Sequence, residues 1–169
     1  MRIYRYVGSQ AIAASVADAP AGTKVTEPAS VLLWVHESGQ CFDADGCVIA
    51  TFVIDEYHTL RIADRHSEHV ACAGGRSVMS AGEITFRISK SSVQVVTVSN
   101  QSTGYCPEPG SWPVVSNALH NAGLKSPFGF EPAFEFRRCD SCNSINLVKD
   151  NVFECAICNS RLAQEWNIS

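Results

Sequence analysis

Four cysteines near the C-terminus form the most specific chemical pattern in this chain of 169 residues. Cys139 and Cys142 make one Cys-x-x-Cys pair, and Cys155 and Cys158 make a second pair after twelve intervening residues. Two residues between cysteines let one tight turn aim both sulfurs at a single point, and two such turns complete a tetrahedron of thiolates around Zn²⁺. Because four protein ligands leave no position for water or substrate, we expect a structural zinc ion.

The segment from Arg137 to Trp166 resembles a zinc ribbon, a module that binds nucleic acid, binds protein or braces a neighbouring domain. Its charges balance, which is a poor electrostatic match for a polyanion, so bracing or protein contact is favoured over nucleic-acid binding. The opposed charges are Arg137, Arg138, Lys149 and Arg161 against Asp140, Asp150, Glu154 and Glu165. The side chains expected to dock the ribbon on the preceding sheet are Phe134, Phe136, Phe153, Leu162 and Trp166.

Three polar stretches, residues 65–75, 80–83 and 98–107, are expected at strand ends or turns, where functional groups are usually displayed. His69 and Glu83 are candidate acid–base residues, because imidazole titrates near neutral pH and a carboxylate can orient it. Tyr105 is a third catalytic candidate. The candidate ligand-binding residues are His66, Gly74, Gly75, Asn100 and Ser102. The alternative is structural, since Asn and Ser often satisfy backbone groups in turns and His69 could be a hydrogen-bonded core residue.

In order along the chain, these stretches resemble a domain found in plant calmodulin-binding IQ-motif proteins and in some bacterial toxin-like proteins. The matching runs are Glu68-His-Val-Ala-Cys-Ala-Gly-Gly75, Ser80-Ala-Gly-Glu83 and Asn100-Gln-Ser-Thr-Gly-Tyr105-Cys-Pro107. The resemblance covers roughly residues 45–125, and it implies a fold and a pocket more than an activity. The chain has no basic IQ helix, so calmodulin binding is not carried over.

Enzyme chemistry remains an alternative at this stage. A transferase or hydrolase acting on a nucleotide-like or protein substrate would use His69 and Glu83. A nucleophilic dyad of Cys72 or Cys106 with His69 is a second version. A zinc-deaminase signature is superficially present at His66-x-Glu68, but the later cysteine pair is not preceded by Pro and already has a second pair as its partners.

The elements that must position these residues follow from hydrophobic periodicity and turn signals. We predict helices over residues 9–17, 26–39 and 112–122, strands over 47–54, 60–63, 69–73, 83–88 and 93–98, and a linker over 127–132. The fold class is therefore α+β, with a mostly antiparallel β-sheet or small barrel, N-terminal helices and a C-terminal zinc ribbon. The expected division is a β-rich domain over 1–130 and the ribbon over 131–169.

Composition limits the function further. Hydrophobic residues make up 46% of the chain and charged residues 18%, which favours a buried core over disorder. The net charge of −4 provides no attraction for a polyanion, and no apolar run approaches the ~20 residues of a membrane span. The N-terminus lacks the apolar core of a signal peptide, so we expect a cytoplasmic protein. The leading hypothesis is a zinc-containing binding or regulatory protein that recognises a polar ligand or a protein partner through its turn motifs.

Overall fold

The computed structural model describes residues 2–90 and 92–168. Its helices are α1 (Gln10–Ser15), α2 (Pro28–Ser38), α3 (His69–Cys72) and α4 (Trp112–Asn121), the last preceded by a 3₁₀ turn over Pro109–Ser111. Its strands are β1 (Thr23–Val25), β2 (Cys47–Asp55), β3 (Leu60–Asp64), β4 (Val78–Ser89), β5 (Ser92–Val98), β6 (Glu135–Arg138) and β7 (Ile145–Val148). The predicted α+β class with a mostly antiparallel sheet is confirmed.

The first five strands form one sheet in the order β1-β3-β2-β4-β5, and every neighbouring pair is antiparallel. Of the two predicted arrangements, the structure has the open sheet, with β1 and β5 at its edges. The last two strands form a separate antiparallel pair that belongs to the C-terminal module.

Both faces of the sheet are covered, because alternate residues of β2 are buried on opposite sides. On one face, Phe52 and Ile54 pack in a core with α2 and α4, to which Trp34 and Leu119 contribute. On the other face, Val53 packs in a second core that includes residues of α3 and of the 98–107 loop. Each polar stretch therefore contributes residues to the second core, and Trp166 of the C-terminal module packs against it.

The strand predicted over residues 69–73 is wrong: this segment is the single helical turn α3. The amides of Cys72 and Ala73 donate to the carbonyls of Glu68 and His69, so the backbone groups are satisfied locally. Gly74 and Gly75 then adopt left-handed φ angles of +62° and +74° and end the turn. Val70 and Cys72 are both buried, and that spacing of two imitates the alternation of a strand.

The Ser80-Ala-Gly-Glu83 stretch also lies elsewhere than expected, because it sits inside β4 and not at a strand end. A Cβ atom at residue 82 would lie 1.9 Å from the carbonyl oxygen of Ser99. Glycine is therefore required at residue 82, because the backbone that leaves β5 passes too close for any side chain. The sequence indicates a turn here, but the glycine marks a close backbone contact.

Among the described residues, the helices are all too short or too polar to cross a membrane.

Candidate metal centre

The four C-terminal cysteines converge on one point, with their Sγ atoms all within 4.8 Å of one another. The Sγ atoms of Cys139 and Cys158 are 3.6 Å apart, as are those of Cys142 and Cys155. A disulfide would require about 2.05 Å. A tetrahedron of thiolates around a metal at ~2.3 Å places its sulfurs about 3.8 Å apart. The four thiols therefore fit a metal ion and do not form disulfides with one another.

Each half of the centre is built by the same six-residue turn, since residues 139–144 and 155–160 both have the sequence Cys-x-x-Cys-Asn-Ser. The amides of Asn143 and Asn159 donate to the carbonyls of Cys139 and Cys155, at 2.8 and 2.9 Å. Both asparagines have left-handed backbone, with φ of 63° and 59°. Asn tolerates this conformation better than other non-glycine residues. The repeated Asn-Ser was a sequence signal that the cysteine spacing alone did not capture.

The serines of the repeated turn lie against the sulfurs. The Ser144 Oγ atom is 3.1 Å from the Sγ of Cys142 and 3.3 Å from that of Cys155. The Ser144 hydroxyl, together with backbone amides that include that of Ile157, lowers the pKa of Cys155 to about 5. Hydrogen bonds from the side chain and backbone of Ser160 lower the pKa of Cys158 in the same way. At Cys155 and Cys158 the environment therefore favours the thiolate, the form that binds metal, whereas the pKa of Cys139 is raised to about 11 beside the other sulfurs.

The apolar core of the C-terminal module packs directly behind the sulfurs. Leu162 is buried with Cys139 and Cys155, and Val148 and Phe153 pack against them. Phe153 and Leu162, which were expected to help dock the module on the sheet, pack instead within this core.

Docking on the sheet domain falls instead to the two ends of the module. Phe136 and Ile168 are buried with Cys106, and Phe134 and Trp166 pack against them. The indole Nε1 of Trp166 donates to the Cys106 carbonyl at 2.9 Å. The indole ring also lies edge-on to Tyr4, with 5.5 Å between ring centroids, and the Arg2 guanidinium lies 4.4 Å from its centre. The N-terminal segment, the 98–107 loop and the C-terminal module thus contact one another at the Trp166 indole.

Asn100 links the same two units through hydrogen bonds. Its Nδ2 donates to the carbonyls of Pro107 and Phe134, both at 2.8 Å. Its Oδ1 accepts the Phe134 amide at 2.7 Å. The side chain is fully buried, so each of these bonds replaces one that water would otherwise make. A predicted ligand-binding residue is therefore engaged with the backbone of its own chain.

Tyr105 and Ser102 are buried within the same loop. The Tyr105 hydroxyl donates to the Arg76 carbonyl at 2.6 Å, and burial raises the pKa of this phenol. The Ser102 hydroxyl accepts the Tyr105 amide at 3.3 Å, and the Ser102 carbonyl accepts the Cys106 amide at 2.7 Å. In this conformation these side chains hold the loop in place and do not face solvent.

Glu83 pairs with Thr51 and so shares the sheet face of Val53, against which α3 packs. The Glu83 charge acts on the His69 imidazole of α3. The His69 Nε2 lies 3.0 Å from the Gly82 carbonyl oxygen, so this nitrogen carries the proton and donates it. Burial lowers the pKa of His69, which keeps the ring neutral. The candidates Gly74 and Gly75 end α3, and their amides donate to the carbonyls of Ala71 and Val70.

His66 lies apart from the other candidates. Its Nδ1 is 3.0 Å from Asp64 Oδ1, and its side chain is 84% exposed. It lines a cavity of about 260 Å³ with Gln40 and Cys41. The structure therefore does not group all the predicted polar residues in one place.

Cys72 and Cys106 are buried thiols. Burial raises the pKa of each to about 12, so both remain protonated near neutral pH. This environment opposes the nucleophilic dyad considered from the sequence, because the thiolate is the reactive form.

No family model matches the chain, and no curated protein or solved structure matches it either. The resemblance to the IQ-motif and toxin-like domain therefore remains a prediction.

We expect Asn100→Ala to destabilise the protein by about 2–4 kcal/mol, because it removes three buried hydrogen bonds and leaves backbone groups unpaired. Urea unfolding measures this change. Asn117→Ala, at an exposed position of α4, is the matched control and should change stability by less than about 0.5 kcal/mol. Equal effects of the two substitutions would contradict the role of Asn100.

We expect His69 to steepen the loss of stability in acid. An unfolded imidazole binds a proton near pH 6.5, and the folded His69 binds one only at lower pH. Below about pH 6.5 the unfolded state therefore holds more protons and unfolding becomes easier. His69→Gln keeps a donor for the Gly82 carbonyl and should flatten the decline in unfolding free energy between about pH 7 and 5. His36→Gln, at an exposed position, should leave that decline unchanged, and identical slopes for all three proteins would refute the assignment.

Proposed function

We propose that this chain is a zinc-containing binding protein in which the ion braces the C-terminal module against the sheet domain, and that its role is to recognise a protein partner. The observation that supports it most is the closure of the metal centre by four protein thiols. A closed tetrahedral centre stabilises structure and offers no site for substrate.

Zinc is the proposed ion because the donor set is four thiolates on two turns, an arrangement typical of structural zinc sites. When bound, the ion would supply a cross-link between the two halves of the module. The residues that would hold it are Cys139, Cys142, Cys155 and Cys158. The proposal includes a cytoplasmic location, where the eight thiols of this chain stay reduced.

Binding is favoured over catalysis by what the predicted catalytic groups do in the structure. The Tyr105 hydroxyl is engaged within the chain, and the buried Cys72 and Cys106 thiols stay protonated near neutral pH. The enzyme alternative retains one supporting observation, which is the shared face of His69 and Glu83. A reaction lost in both His69→Gln and Glu83→Gln, with folding intact, would replace the binding proposal by a transferase or hydrolase.

The proposed partner is a protein because large apolar side chains are exposed, and three of them are at least 70% exposed. They are Tyr57 at 70% exposure, Ile157 at 74%, and Phe128, which is fully exposed. Exposed apolar side chains are common singly, but each is a position at which a partner can gain buried area.

We expect the purified protein to carry one zinc ion per chain. Cys155→Ser should lose the ion and increase amide exchange in β6 and β7, because metal binding contributes directly to the folding of such modules. Native mass spectrometry with hydrogen exchange measures both effects. Cys41→Ser, at an exposed cysteine outside the centre, should retain the ion. Full metal content in Cys155→Ser, or an iron–sulfur absorption spectrum, would overturn the zinc proposal.

We expect a photo-cross-linking residue placed at 57, 128 or 157 to capture a discrete partner in the cells that make the protein. A control cross-linker at exposed residue 117 should not capture that partner. Adducts no different from the control at all three positions would refute a protein-binding role.

A further inference from the structure

The two edges of the five-stranded sheet differ in how they are protected. β1 has three residues and includes Lys24, and both shortness and a lysine discourage an additional strand from pairing. β5 has seven residues, with the sequence Ser-Val-Gln-Val-Val-Thr-Val. It contains no charge and no proline, and four of its residues are valine. β5 therefore has the composition of a strand that another strand can join.

The chain itself begins to extend the sheet beyond β5. The Glu131 amide donates to the Val98 carbonyl at 2.7 Å, in the position that a sixth strand would occupy. Residues 125–130 then lie away from β5 and leave a groove of about 670 Å³. One wall of this groove is the edge of β5 at Gln94, Val95 and Val96.

The opposite wall carries aromatic side chains. Phe130 packs edge-on against Trp112, with 5.0 Å between ring centroids, and is thereby fixed in place. Phe128 lines the groove but is fully exposed. The groove thus combines the backbone edge of a strand with an uncovered aromatic ring.

The groove fits one extended polypeptide better than a second copy of this chain. Paired strands lie about 4.8 Å apart. An added strand would pair with β5 at residues 94–96, which line the groove, because Glu131 already bonds to Val98 at the end of this edge. A second copy that paired through β5 would bring its own segment 125–131 to the same edge, since this segment lines the groove beside β5. Lys125 and Glu131 both line the groove, at the two ends of the segment that forms its wall. A peptide with charged ends and an uncharged centre complements these groups.

We propose that the β5 edge is the docking site for an extended segment of a partner protein, which joins the sheet as a sixth strand and covers Phe128. This inference rests on the proposed function, because it names the class of partner and the surface that binds it. Recognition would combine main-chain hydrogen bonds to β5 with apolar contacts from alternate side chains of the segment.

The test uses a phage-displayed library of random dodecapeptides and the zinc-loaded chain of 169 residues. We expect enriched peptides to alternate apolar and polar residues. Synthetic copies should bind Phe128→Asp at least tenfold more weakly than the natural sequence. They should bind Tyr57→Asp, a charge placed on another exposed aromatic residue, with unchanged affinity.

Backbone methylation of the selected peptide distinguishes pairing of its main chain with β5 from a purely apolar contact in the groove. In an added strand, alternate N–H groups point toward β5 and the others point to solvent. N-methyl groups at one set of alternate residues should abolish binding, and those at the other set should leave it nearly unchanged. Equal effects of the two sets, no enrichment over Phe128→Asp, or dimerisation through β5 in sedimentation would overturn the proposal.

These outcomes are distinguishable from failure of the proposed function. Capture of a partner from residue 57 or 157 with no peptide binding at β5 would retain the binding function and reject this site. Peptide binding that is lost in Phe128→Asp but persists in Cys155→Ser would support the site and show that it does not require the metal.

Discussion

The side chain of Asn100 is the interaction on which the joining of the two units depends. Its Nδ2 donates to the carbonyls of Pro107 and Phe134, and its Oδ1 accepts the backbone N–H of Phe134. These hydrogen bonds connect the loop after β5 to the segment that leads into β6. An amide has two donors and an acceptor in one plane, which no other uncharged side chain of this size except Gln provides. Because the site is fully buried, the geometry must be satisfied completely. The apolar contacts of Trp166 and Ile168 bury the apolar surface around these hydrogen bonds.

The metal centre and this junction stabilise different parts of the structure, and the junction depends on a module that the metal centre holds together. The four thiols hold the two halves of the C-terminal module together, and their backing by Leu162 gives that module its own core. The module in turn presents Phe134 and Phe136 to the sheet domain. Loss of the ion would therefore act on the junction indirectly, through the strand that carries these two residues. The polar residues of the 98–107 loop act as connectors, which explains why so many are buried.

The metal centre could be predicted from the sequence because its determinants are local. Cys-x-x-Cys spacing specifies a turn of six residues, and the turn places both sulfurs whatever the rest of the chain does. Asn100 could not be assigned in the same way, since its partner Phe134 lies 34 residues later and has no side-chain polarity to reveal the contact. The strand prediction for residues 69–73 was wrong for a related reason, because the burial of Val70 and Cys72 depends on where α3 packs on the sheet. Gly82 resembles a turn residue locally, and only the distant Ser99 carbonyl shows why glycine is needed there.

The metal centre follows the sheet domain in chain order, and this has a consequence for the order of assembly. The loops that close it are short, so the entropy lost in bringing the two turns together is small. The ribosome delivers the sheet domain first, and domains generally begin to fold from the N-terminal side. Until residue 134 has left the exit tunnel, the Asn100 amide can be satisfied only by Pro107 and by water. The segment around Phe134, which is synthesised after the sheet domain, thus displaces this water when it docks.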